Sequence, residues 1–194
     1  SYYSKRYPSF PINPELIVDN INDKKVEQII DDFKPELVIV SGTNLLKNKL
    51  ISKIQNYGKV MNLHTGISPY LKGGPDCTNW CLFLKEFNLI GNTIMWIDKG
   101  IDSGNIIATE QTNLTGEETL VDLKIKTMNH GHDLYIRAID RFFNNKPLQD
   151  IPQSSLSPHR LFLSKDWGLK ENIIALFNYY AFYRAGKIYK LNHK

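Results

Sequence analysis

Cysteine is scarce, charge of one sign is not in excess, and no hydrophobic run is long. The 194-residue chain has two cysteines, Cys77 and Cys81. These are too few for a disulfide framework or a four-ligand zinc site, so no metal is expected. Its 24 Lys and Arg stand against 20 Asp and Glu, a formal net charge of +4. That surplus is not the footprint of a dedicated nucleic-acid binder. The mildly basic end at Lys187, Lys190 and Lys194 reads as a solvated face. Leu37-Val38-Ile39-Val40 is strand-sized, far from the roughly 18 residues that a membrane span needs. Ser1 to Tyr7 lacks the apolar stretch of a secretory leader. Internal repeats and low-complexity tracts are missing too. What is present is 42% hydrophobic residues, enough for one packed domain and too many for a disordered chain. The expectation is a reduced, cytoplasmic domain with neither nucleic acid nor membrane as partner.

Periodicity predicts an alternation of strands and helices. Phe10 to Pro14 reads as a loop, and Glu15-Leu16-Ile17-Val18 as a short strand. Val26, Ile29, Ile30 and Phe33 recur at helical spacing, and Pro35 closes that helix. Strands are expected over 37–41, 60–64, 92–97 and 105–111, the first two parallel and the last two a hairpin. The apolar run Leu37 to Val40 reads as buried on both faces. A helix is expected near 48–56, another around Trp80 and Leu84, a long one over 117–143, and a Tyr-rich one over 170–184. Such alternation argues for a parallel α/β sheet.

In open α/β sheets, ligands collect at the carboxyl ends of strands. Three such ends carry polar or flexible residues: Ser41 to Asn44, Asn62 to Gly66, and Asp98 to Gly104. Residues two apart in a strand share a face, so Asn62 and His64 point the same way. An amide donor beside an imidazole can polarise a carbonyl and move a proton. Asp102, from a second loop, could orient that imidazole or raise its pKa. On the residues alone, a satisfied core histidine remains the competing reading. Cys77 and Cys81, one helical turn apart, read as packing.

The run Asn62-Leu63-His64-Thr65-Gly66-Ile67-Ser68-Pro69-Tyr70-Leu71-Lys72-Gly73-Gly74 resembles the signature loop of the folate-dependent formyltransferases. Asn62, His64, Pro69 and Gly73 fit that pattern without gaps, and Thr65-Gly66 departs from the Pro-Ser pair of many members. Gly100-Ile101-Asp102-Ser103-Gly104-Asn105-Ile106-Ile107 resembles the second signature. The resemblance, over about Leu16 to Phe143, implies a Rossmann-like formyltransferase fold with a largely parallel sheet and an antiparallel hairpin on its C-terminal side. It implies 10-formyltetrahydrofolate as formyl donor and Asn62, His64 and Asp102 as catalytic residues. It also implies that Gly42, Thr43, Asn44, Leu45 and Leu46 wall one side of the folate cleft. Asp98, Lys99, Gly100 and Ile101 hold the pterin from the other. Gly73, Gly74 and Asp76 are read as acceptor contacts.

The resemblance also implies that the family's first strand is missing, so that an internal sheet edge is left unpaired. Residues 1–150 are expected to be the catalytic domain and 151–194 a helical extension. Asp19 to Asp23 and Gly91 to Asp98 look most like the sugar N-formyltransferases, which implies a nucleotide-linked amino sugar as acceptor. Glycinamide ribonucleotide is the alternative acceptor, and a non-catalytic or partner-dependent folate-binding fragment is the alternative class. Homodimerisation is left open.

Overall fold

The computed structural model describes residues 16–185 except Pro75 and Lys99. The loop at Phe10 to Pro14, Glu15, Lys99 and the basic end lie outside the described residues. Helix α1 (Lys24–Phe33) starts where the Asp23 carboxylate accepts from Lys25 N–H (2.8 Å). It stops at Lys34, left-handed at φ 47°, ahead of Pro35. Then come β1 (Leu37–Val40), α2 (Asn48–Gln55), β2 (Lys59–His64), β3 (Lys72–Gly73) and α3 (Cys77–Leu84). They are followed by β4 (Gly91–Trp96), β5 (Ile106–Gln111), α4 (Leu120–Phe143), β6 (Leu161–Phe162) and α5 (Leu169–Asn178). A π-helical turn over Tyr179–Tyr183 continues α5. Leu16 to Val18 form no strand.

The expected strands are present, and their order is β1-β2-β4-β5. β1 and β2 run parallel, and β4 and β5 form the expected hairpin. The sheet is less parallel than the resemblance implies, because β4 runs antiparallel to β2. The reason lies in α3. It packs against α5 around Trp80 and Leu82 in a core of its own, rather than crossing the sheet. The chain therefore re-enters the sheet beside His64, opposite Thr93, and runs back.

Period two divides β2 cleanly. Val60 joins Ile30, Val40, Leu50, Ile51 and Ile54 beneath α1 and α2. Met61 and Leu63 join Ile94, Ile107, Leu134 and Ala138 beneath α4. β1 is not buried on both faces. Ile39 is 53% exposed, because α4 packs over β2, β4 and β5. α4 does reach β1 through Tyr135, whose hydroxyl accepts from Val40 N–H (3.0 Å) and lies 2.5 Å from Met61 O. The capping box of Thr119 and Asp122 begins α4. Just before it, the buried Glu118 carboxylate accepts from Gly116 N–H (3.0 Å) and from the Tyr183 hydroxyl (2.6 Å), tying the π-helical turn to the body. Among the described residues no helix is long and apolar enough to cross a membrane.

Residues 160–163 form a strap across the loop that follows β2. β6 pairs in parallel with β3, and Gly74 N–H donates to Phe162 O (3.1 Å). Arg160 forks onto Glu86 (2.9 and 2.5 Å) and donates through Nε to Tyr70 O (2.8 Å). Phe162 stacks on Trp80 at 4.4 Å.

Tyr135→Phe leaves Val40 N–H and Met61 C=O buried without that partner. It should cost about 1–3 kcal/mol of unfolding free energy with little change in secondary structure. Denaturant titration followed by circular dichroism checks this.

Candidate active site

Asn62 and His64 stand on the face of β2 that carries Val60. Because β4 runs back, its carboxyl end lies beside Val60, where Ile97 N–H donates to Val60 O (2.9 Å). The following loop returns over the same face and brings Asp102 onto both residues. Asp102 Oδ1 is 3.3 Å from Asn62 Nδ2, and Oδ2 is 3.3 Å from His64 Nδ1. Oδ2 also accepts from Gly73 N–H (2.8 Å). One carboxylate thus gathers β2, the hairpin loop and the strapped loop at β3.

The ring geometry decides the protonation of His64. Its Nε2 is 2.8 Å from Leu71 O, which can only accept, so Nε2 carries hydrogen. Its Nδ1 faces a carboxylate, which favours hydrogen there as well. Burial alone would pull the pKa down. Cys77, the Asp102 carboxylate and the Leu71 carbonyl outweigh it and raise the pKa from 6.5 to about 9. His64 is an imidazolium at neutral pH, and only 7% exposed. Cys77 is buried, as a packing residue is expected to be, yet its Sγ is 3.5 Å from His64 Nε2. A Cβ at Gly66 would lie 2.7 Å from that nitrogen and 2.9 Å from Cys77 Sγ. The Thr65-Gly66 departure therefore goes with Cys77: the thiol takes the space a side chain would need.

Asn62, His64, Gly73 and Asp102 line a cleft of about 590 Å³. Gly42, Thr43, Asn44, Leu45 and Leu46 form one wall, and Asp98, Gly100, Ile101 and Asp102 another. The first wall is braced from below. Asn22 Nδ2 donates to Leu45 O (2.9 Å), and Lys47 N–H donates to Asn22 Oδ1 (2.7 Å). In the second, Asp98 Oδ1 accepts from Gly100 N–H (2.8 Å) and Ser103 Oγ (2.5 Å), which rounds the loop. Gly73 and Gly74 line the cleft as expected. Asp76 is not among the lining residues. Its carboxylate accepts from Asn79 N–H (3.2 Å) at the start of α3 and pairs with Lys124 (2.9 Å).

Sequence reasoning missed Phe162, Leu163 and Ser164, which also line the cleft. They arrive through a two-residue strand, too short to carry a period. Gly73 makes that approach possible. Its φ is +82°, and a Cβ there would lie 2.1 Å from Phe162 O.

The family model for formyl transferase matches residues 7–139. The chain belongs to the folate-dependent formyltransferase family. A methionyl-tRNA formyltransferase of Finegoldia magna is 30% identical over 141 residues, 71% of this chain and 44% of that one. The chain spans about half the length of the curated relatives it matches. Among solved formyltransferases, a 4-N formyltransferase from Francisella tularensis superposes with a TM-score of 0.60 at 25% identity, over 80% of this chain and 65% of that one. A formyltransferase from Anoxybacillus kamchatkensis, solved with a UDP-linked formamido sugar and tetrahydrofolate, gives 0.58 at 19% identity, over 76% and 84%.

A histidine pKa raised by folding stabilises the fold fully below the ordinary value, and that support is lost as pH rises through the folded value. His64 should therefore support the fold below pH 6.5 and cease to by about pH 9. Denaturation midpoints measured from about pH 6 to pH 10 should fall across that window. Asp102→Asn should flatten the fall.

Proposed function

We propose that this chain is the catalytic part of an N-formyltransferase. It moves the formyl group of 10-formyltetrahydrofolate to an amino group of a nucleotide-linked amino sugar. The observation that carries the reading is the contact of Asn62, His64 and Asp102 inside one cleft, with His64 held as imidazolium. A cleft of about 590 Å³ lies within the usual range for a ligand of folate size. The loops at 42–46 and 98–102 offer backbone groups to a flat ring.

In the transfer, a neutral amine attacks the formyl carbon, the C–N10 bond breaks, N10 gains a proton and the amine loses one. Asn62 donates through Nδ2 to the formyl oxygen as it becomes negative, which is where an aligned donor lowers a barrier most. His64, whose two ring N–H groups are held by Leu71 O and Asp102, contributes its positive charge to the site in which the oxyanion forms. Asp102 keeps it protonated, because a carboxylate at contact distance favours imidazolium. Gly73, Gly74, the strap residue Leu163 and the adjoining Ser164 border the space left for the acceptor.

The sugar acceptor draws support from the Anoxybacillus kamchatkensis formyltransferase, whose ligands are a UDP-linked sugar and tetrahydrofolate. A second reading takes methionyl-tRNA as acceptor, favoured by the curated sequence relatives. The test supplies 10-formyltetrahydrofolate with UDP-linked amino sugars, glycinamide ribonucleotide or methionyl-tRNA, and follows release of tetrahydrofolate. It is run on this chain and on the whole gene product. Turnover with an amino sugar alone supports the reading. Turnover with methionyl-tRNA overturns the acceptor, and folate binding without any transfer overturns the enzyme.

Two outcomes test the residue roles. His64→Ala and Asn62→Ala should each lower kcat by about 10²-fold or more. Tetrahydrofolate affinity by calorimetry should change little, since the pterin contacts lie in the loops. Second, the rate should rise with pH as the amine deprotonates and fall as His64 loses its proton near pH 9. Asp102→Asn removes one of the groups that, with Cys77 and the Leu71 carbonyl, raise the histidine pKa, so the alkaline limb should move to lower pH with the same acceptor.

A further inference from the structure

Gln153 follows the bridge between Ile106 and Ile151, which holds residues 151–153 against the base of the Asp102 loop. Its side chain is 3% exposed. Nε2 donates to Asp102 O (2.9 Å) and to Gly104 O (2.7 Å), so a single amide closes both sides of the turn. Asp102 has φ +45°, left-handed backbone that a non-glycine residue keeps only where its surroundings enforce it. The other end of Gln153 is unmatched: Oε1 is buried with no partner among the described residues. A buried polar atom without a partner is costly, so an amide that merely filled space would be a poor choice here. What a methionine or leucine of similar volume could not supply is the pair of donors.

From this geometry we infer that Gln153 is a positioning residue, whose amide fixes the backbone turn that aims the Asp102 carboxylate at His64, Asn62 and Gly73. It touches none of those three side-chain contacts and acts through Asp102. The catalytic meaning rests on the formyl-transfer reading above; the positioning does not. The titratable groups that face His64 are Asp102, from the hairpin loop, and Cys77, from α3. Gln153 contacts neither thiol nor imidazole, so its influence on His64 should run through the carboxylate alone.

The test reads protonation rather than turnover. The chain is labelled with nitrogen-15 histidine and the His64 ring titrated by NMR in wild type, Gln153→Met, Asp102→Asn and the double variant. Wild type should titrate well above the ordinary midpoint, and Gln153→Met should lower the His64 midpoint by about one unit. Asp102→Asn should lower it at least as far. The double variant should match Asp102→Asn, because the amide then has no carboxylate to aim. Should Gln153→Met fail to fold, Gln153→Asn keeps a buried amide of shorter reach and should shift the midpoint in the same direction by less. A folded Gln153 variant with an unmoved His64 midpoint overturns the inference, as does a double variant in which the two shifts add. Formyl transfer with an indifferent His64 midpoint would sink this inference alone. A Gln153-dependent midpoint without transfer would sink only the function.

Discussion

The Asp102 carboxylate is the contact on which the site depends. A half-buried carboxylate facing a buried imidazole gains little unless its remaining oxygen positions are also satisfied, because both groups have given up much of their water. Here Gly73 N–H and the Asn62 amide supply those positions. The arrangement is therefore mutual. With Cys77 and the Leu71 carbonyl, the carboxylate raises the His64 pKa, and the imidazole and two donors hold the carboxylate in place. Three stretches far apart in sequence close onto one atom pair, so small shifts in any of them reach the imidazole.

Around that contact the molecule divides into a frame and a set of braces. The frame is the sheet, with α1 and α2 on one face and α4 on the other. It places Asn62 and His64 by strand period alone. The braces are local and specific. Asn22 props the loop at Leu45, Arg160 and Glu86 lock the strap over Tyr70, and Trp80 stacks beneath Phe162. A loop-built cleft needs such props, because positions held only by loops lose precision by fractions of an ångström.

The strap also bears on family relationships. The family model ends at residue 139, whereas Phe162 to Ser164 border the same cleft. The cleft therefore includes residues beyond the segment that the family model matches. The curated sequence relatives are methionyl-tRNA formyltransferases, and the solved neighbours include a sugar enzyme.

What was legible in the sequence is what local periodicity encodes. Alternation in Lys59 to His64 put Asn62 and His64 on one face, the apolar spacing of Val26 to Phe33 made a helix, and the turn residues from Asp98 to Gly104 closed a hairpin. The resemblance of the run at Gly100 to Ile107 to a family signature also implied Asp102 as the partner of Asn62 and His64. Tertiary structure decided the rest, because each remaining feature is a contact between segments with no period linking them. Nothing local says that Asp76 pairs with Lys124, or that α4 leaves Ile39 uncovered. Nothing local says that Cys77 reaches His64 and excludes a side chain at Gly66. Gln153 is the plainest case: its meaning lies in two carbonyl oxygens about fifty residues away, reachable only after the sheet has formed.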